Sequence, residues 1–197
     1  MKLCAATGFR ALVMPCLVVL TVLASSAMAQ DKDPFIVENA DFSLDKELLM
    51  LDMVVESEIP DYISIALEQG FAVPIMFEVE IRSAKRYWFD DRVVSLKQQY
   101  LLHHLPMLDS FVVLDVNNSE RHYFDNRKAA VRYLEVVYNY PMLNINNLAA
   151  DKEYYARVRF GIDTDELPLP LKSSSLWDND WDLQSEWYEW EVRRPES

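Results

Sequence analysis

Ile75-Met76-Phe77-Glu78-Val79-Glu80-Ile81-Arg82 is the run on which the fold turns. Ile75, Phe77, Val79 and Ile81 alternate with Met76, Glu78, Glu80 and Arg82, the period of two of a strand with one buried face. A tight aromatic and acidic corner follows at Tyr87-Trp88-Phe89-Asp90-Asp91-Arg92. The chain then returns with Val94, Leu96, Tyr100 and Leu102 on one face and Ser95, Lys97 and Gln99 on the other. Residues 75–105 therefore predict an antiparallel hairpin, and the rest of the chain is placed around it.

Upstream, Phe35 to Leu44 and Leu48 to Ser57 are two strand-like runs joined by Asp45-Lys46-Glu47. In the second, Leu49, Leu51, Met53 and Val55 mark one face while Leu48, Met50 and Val54 lie on the other, which predicts a strand covered on both sides. Pro60 to Gln69 predicts a short helix: Pro60 suits a first-turn position, Asp61 favours the positive N-terminal end, and Ile59, Ile63, Ala66 and Leu67 form an apolar stripe. Gly70 before Phe71 fits a left-handed C-cap.

Downstream, Pro106 to Asp109 reads as a turn, Ser110 to Val116 as a third antiparallel strand and Arg121 to Phe124 as a short fourth. Asp125 to Tyr140 predicts a second helix, capped by Asp125 or Asn126 and stopped by Pro141, with Ala130, Val131, Leu134, Val137 and Tyr138 at helical spacing. Leu143 to Lys152 reads as loop. Tyr154, Ala156, Val158, Phe160 and Ile162 alternate with Tyr155, Arg157 and Arg159, the clearest two-faced strand in the chain. Leu167-Pro168-Leu169-Pro170-Leu171 reads as an extended edge segment, because proline supplies no ladder donor. Leu183 to Val192 can form a last strand. The fold class expected is α+β, mainly antiparallel β: a sandwich or bent sheet of about seven strands covered by two helices.

The first residues are read apart from this fold. Lys2 and Arg10, the apolar run Ala11 to Ala24 and the small-x-small site Ala27-Met28-Ala29 predict a secretory signal peptide over residues 1–29, leaving one globular β-rich domain over 30–197. That predicts export from the cytoplasm. Cys4 and Cys16 both leave with the signal, so the remainder has no disulfide and no thiolate ligand. It keeps 17 basic residues against 32 acidic ones, a net charge of −15. Such a surface repels nucleic acid and anionic lipid and suits a partner with a basic patch. No segment after the signal is long and apolar enough to span a bilayer.

Glycine is scarce: Gly70 and Gly161 are the two beyond the signal. A phosphate loop or dinucleotide fingerprint needs clustered glycines, and neither pattern exists. There is no nucleophile elbow and no His-Glu-x-x-His. His103 and His104 point to opposite faces of one strand and cannot share a metal without a bulge; His122 stands apart. Asp178, Asp180, Asp182 and Glu189 fall at calcium-loop spacing, but Leu183 stands where the turn glycine belongs, so the run reads as an acidic turn. Asp90-Asp91 and Glu186/Glu189 are carboxylate pairs of a kind that chance supplies in so acidic a chain. No catalytic residue, metal or cofactor is assigned. The candidate binding residues are Trp88, Asp90, Trp181, Trp187 and Trp190, weighed against the reading that these rings fill a core without disulfides.

A family resemblance rests on several motifs in order. These are Ala66-Leu67-x-x-Gly70, Tyr87-Trp88-Phe89-Asp90, Tyr154-x-x-Arg157-Val158-Arg159 with Asp163, Leu167-Pro168-x-Pro170-Leu171, and Trp181-x-Leu183-x-Ser185-x-Trp187-x-x-Trp190. Together they resemble the bacterial domain-of-unknown-function (DUF) family 4390 over roughly Phe35 to Val192. The resemblance implies an exported proteobacterial protein, without assigned activity, whose gene often neighbours a membrane sensor kinase of the nitrogen-regulation type. The function expected is a non-catalytic periplasmic interaction module, linked to such an envelope sensor-kinase system and binding another envelope protein. The alternative is a small-molecule or glycan-binding domain that uses exposed aromatics. A further expectation is that the Trp88 corner packs against Trp181, Trp187 and Trp190 at one end of the sheet.

Overall fold

The computed structural model describes residues 33–84, 91–173 and 181–193. Among them are nine strands in two antiparallel sheets. The opening hairpin is β3 (Val73–Ser83) and β4 (Asp91–Leu105), in register from Val73 opposite Leu102 to Ser83 opposite Asp91. It lies in the middle of a six-stranded sheet. On one side come β5 (Ser110–Asp115) and β6 (Glu120–Phe124), and on the other β8 (Tyr154–Ile162) and β9 (Tyr188–Glu191), in the order β6-β5-β4-β3-β8-β9. A second sheet of three strands has the order β1-β2-β7, from β1 (Phe35–Asp45), β2 (Leu48–Ser57) and β7 (Val136–Asn144). The α+β, mainly antiparallel architecture is that expected of the sequence, as a sandwich with nine strands rather than about seven.

The core lies between the sheets. Phe35, Leu51, Met53 and Val55 of the small sheet meet Phe77, Val79, Val158 and Phe160 of the large one. Phe35 and Phe160 make an edge-on contact at 5.4 Å. Burying one such side chain stabilises by about 1.5–3 kcal/mol, so this interface holds the fold without disulfides. Helix α1 (Asp61–Glu68) adds Ile63, Ala66 and Leu67 to the same core and ends at Gly70 with φ +83°, the left-handed residue foreseen there. Helix α2 (Arg127–Glu135) adds Ala130 and Leu134, and Asn126 caps it by accepting from the Ala129 amide at 2.9 Å. Among the described residues, no helix is long and apolar enough to cross a membrane.

Several local expectations are corrected. The second helix stops at Glu135, and Val136 enters β7 with φ −122° and ψ 111°. The helical spacing runs on through Val137 and Tyr138, but this β-branched and aromatic run pairs with β2, Val136 opposite Val54 and Val137 opposite Met53. Pro141 then sits on the free edge of β7, where no ladder donor is needed, and part of the expected loop, Leu143 and Asn144, is strand. β2 is covered on one face only: Leu49, Leu51, Met53 and Val55 are buried while Leu48 and Val54 are exposed. β3, expected to bury one face, buries most of both, because Met76 and Glu80 are also covered. Finally, Leu169–Ser173 forms a short helix, α3, in place of an extended edge; Pro168 carbonyl accepts from the Leu171 and Lys172 amides as its first turn closes.

Candidate functional site

The second face of β3 explains its burial and supplies the most organised polar array in the described chain. Register places Glu78 between Lys97 of β4 and Arg159 of β8, and Glu80 between Ser95 and Arg157. The Glu-x-Glu spacing of one strand thus meets the Arg-x-Arg spacing of its neighbour. Arg159 donates from Nε and Nη2 to Glu78 Oε2 at 3.0 and 2.7 Å. Arg157 donates from Nε and Nη2 to Glu80 Oε2 at 2.8 and 2.7 Å, and Arg92 Nη1 donates to Glu80 Oε1 at 2.9 Å. At the far end, Asp163 Oδ2 accepts from Lys97 Nζ at 2.7 Å and Gln99 Nε2 at 2.6 Å.

Glu80 is 4 % exposed. Burial by itself raises its pKa, but the hydrogen bonds and charges of Arg92 and Arg157 outweigh that and hold it below its usual value. A carboxylate kept ionised by two guanidinium groups is a poor proton acceptor near neutral pH, where a general base is best poised close to 7. Chemically, this face is set up to hold fixed donors in place rather than to move protons.

Trp187 joins the array from the C-terminal segment. Its ring lies 4.1 Å from the Arg157 guanidinium carbon and 4.7 Å from that of Arg159. Gly161 makes this approach possible. A Cβ there would collide with the Leu183 carbonyl oxygen and stand 2.6 Å from Gln184 Cα, so the backbone of residues 183–184 crosses directly over the glycine. The crossing is pinned by Ile162 N donating to Leu183 O at 2.8 Å, Ser185 N to Phe160 O at 2.7 Å, and Phe160 N to Ser185 Oγ at 3.0 Å.

The five candidate binding residues therefore fall in different places. Trp181 is buried, edge-on to Tyr62 at 5.2 Å. Trp190 packs on Phe42 at 5.1 Å and on Tyr188 at 6.1 Å, part of the interior. Trp187 is the half-buried ring on the arginine pair. Trp88 and Asp90 lie outside the described residues, as does the proposed packing of their corner against the tail. Sequence reasoning did not assign Glu78, Glu80, Arg157 and Arg159 to a site, although their matched spacing was a visible signal.

The remaining candidates are dispersed. His103 and His104 point to opposite faces of β4: His103 Nε2 lies 3.0 Å from the Gly70 carbonyl, and His104 stacks on Phe111 at 4.6 Å. His122 lies against Tyr133 at 4.7 Å. Asp178 and Asp180 are outside the described residues, while Glu189 faces Arg157 at 3.9 Å. Among the described residues, no group of three or more His, Cys, Asp or Glu side chains is placed to hold a metal ion. A buried polar network that the sequence did not announce runs through Gln98, which donates to Asp115 at 2.8 Å and accepts from the Tyr140 hydroxyl at 2.8 Å. Three cavities bear on ligand size, among them one of about 350 Å³ lined by Leu148, Lys152, Tyr154 and Val192 among others. One of about 140 Å³ is lined by Phe35, Trp187, Tyr188 and Glu186 among others; another of about 400 Å³, between α2 and the end of β2, is lined by Arg127, Lys128, Arg132 and Glu135 without an aromatic ring.

The family model described as "Domain of unknown function (DUF4390)" matches residues 32–191. No curated protein and no solved structure matches the chain.

Proposed function

The chain belongs to the DUF4390 family, and from that premise we propose that it is a non-catalytic interaction module of the periplasm that binds another envelope protein through the Trp187 face. The observation that carries this reading is the arrangement of Trp187 over Arg157 and Arg159, each guanidinium already fixed by a glutamate. Tryptophan and arginine dominate the energetically important positions of protein interfaces, and fixing them beforehand lowers the ordering cost of binding. Arg159 uses Nε and Nη2 on Glu78, which leaves Nη1 donors for a partner. The export signal at residues 1–29 and the resemblance to proteins encoded beside envelope sensor kinases support the compartment and the signalling context.

The glycan or small-molecule alternative needs an aromatic-lined pocket. The cavity beside Trp187, about 140 Å³, is below the roughly 300 Å³ at which ligand pockets begin, and of the two larger cavities the one of about 350 Å³ has Tyr154 as its single aromatic residue and the one of about 400 Å³ has none, which favours a protein surface. The test is affinity capture from envelope extract with wild type and Trp187→Ala. Recovery of a partner by wild type and its loss in the variant is expected. Capture of nothing above background, or equal capture by both, would sink the reading. Mass spectrometry of the osmotic-shock fraction should find the mature chain starting at Gln30; retention of residues 1–29 in the cytoplasm would remove the periplasmic assignment.

A further inference from the structure

We infer that the outward face of the three-stranded sheet is a second docking surface, built for a cationic amphipathic polypeptide segment. It faces away from the core, uses none of Trp187, Arg157 and Arg159, and stands whether or not the Trp187 face binds a partner. β1, β2 and β7 together contain no lysine or arginine, but they carry Glu38, Asp41, Asp45, Asp52 and Glu56. Register sets Asp41 directly opposite Asp52. Like charges opposite each other across an antiparallel pair are destabilising. Among the described residues no cation forms an ion pair with either carboxylate. Each is instead held by a backbone amide, Asp41 Oδ1 by Phe42 N at 2.7 Å and Asp52 Oδ1 by Asn139 N at 2.8 Å.

The same face carries an apolar strip. Val54 pairs with Val136, and Tyr138 follows two residues on, at 38 %, 50 % and 75 % exposure. Leu48 and Pro141 extend the strip. Adjacent exposed apolar side chains on one sheet face mark a contact surface. The charge decides what covers it. A second copy of the chain would bring the same five carboxylates against these, and an anionic membrane is repelled for the same reason. A segment that sets lysines or arginines opposite Asp41 and Asp52 and apolar side chains on Val136 and Tyr138 relieves the repulsion and buries the strip together.

A fluorescein-labelled peptide of alternating lysine and valine is the probe, read by fluorescence anisotropy on the folded protein. Binding is expected, weakening at least tenfold between about 0.02 M and about 0.3 M salt. It should also weaken at least tenfold in Val136→Ser/Tyr138→Ser and in Asp41→Asn/Asp52→Asn, the latter removing repulsion and so folding at least as well as wild type. Tyr123→Ser, an exposed tyrosine on the other sheet, should change nothing. No binding, equal binding of a peptide with glutamate in place of lysine, or undiminished binding by both double variants would overturn the inference. So would wild-type dimerisation lost in Val136→Ser/Tyr138→Ser, or sedimentation with phosphatidylcholine vesicles lost in that variant, which would assign the strip to a second copy or to lipid.

Discussion

Gly161→Ala tests the element that brings Trp187 to its site. The added methyl collides with the Leu183 carbonyl oxygen and Gln184 Cα, both backbone atoms. No flexible side chain can swing aside, so residues 183–185 must lift from β8. Three hydrogen bonds go with them: Ile162 N to Leu183 O, Ser185 N to Phe160 O, and Phe160 N to Ser185 Oγ. At about 1 kcal/mol net each, that is about 3 kcal/mol. Replacing a glycine also reduces the freedom of the unfolded chain, which returns about 0.4–1 kcal/mol. Crowding therefore wins, with a net loss of about 2 kcal/mol, or about 4–8 °C in Tm for a domain of this size. Trp181 and Trp187 flank the displaced segment, so tryptophan emission should shift to the red in the native state, and amide exchange should quicken at 160–162 and 183–185. A variant with wild-type urea midpoint and unchanged emission would show that the crossing over Gly161 is not as tight as described.

Three further outcomes follow from the polar groups. Glu80→Gln should cost about 3 kcal/mol in urea unfolding at neutral pH, the lower end for breaking a buried pair, because Arg92 is 57 % exposed. Glu80 has a lowered pKa when folded, so its contribution is complete above the unfolded value near 4.5 and is lost as pH falls through the folded one. Wild type should therefore lose stability below about pH 4.5 more steeply than the variant; parallel acid limbs would contradict this. The pKa of Tyr100 is raised, first by burial and then by the charge of Asp115. The unfolded chain thus ionises first as pH rises above about 10, and wild type should lose stability there more steeply than Tyr100→Phe in thermal melts from pH 9 to 11. Asn126→Ala removes the α2 cap and should lower stability by about 1 kcal/mol by urea unfolding, with Asn126→Asp retaining it.

Local pattern in the sequence determined much of this protein. Alternation located β3, β4 and β8, because a half-buried strand writes its two faces into every second residue. Gly70 and Asn126 marked helix ends because few residues serve those positions, and the first strand was legible from its pattern, whereas of the expected last strand, Leu183 to Val192, only Tyr188–Glu191 forms one. The tertiary structure decided what depends on neighbours. Val136 to Tyr140 is compatible with helix or strand, and the exposed edge of β2 settled it. Exposure of the tryptophans could not be read from their spacing, since Trp181, Trp187 and Trp190 differ in what packs over them rather than in their local pattern. The pairing of Glu78 and Glu80 with Arg159 and Arg157, and the opposition of Asp41 and Asp52, are products of register between segments far apart in the chain. One residue of slip would turn each of these side chains to the other face, and only the packed sandwich forbids it.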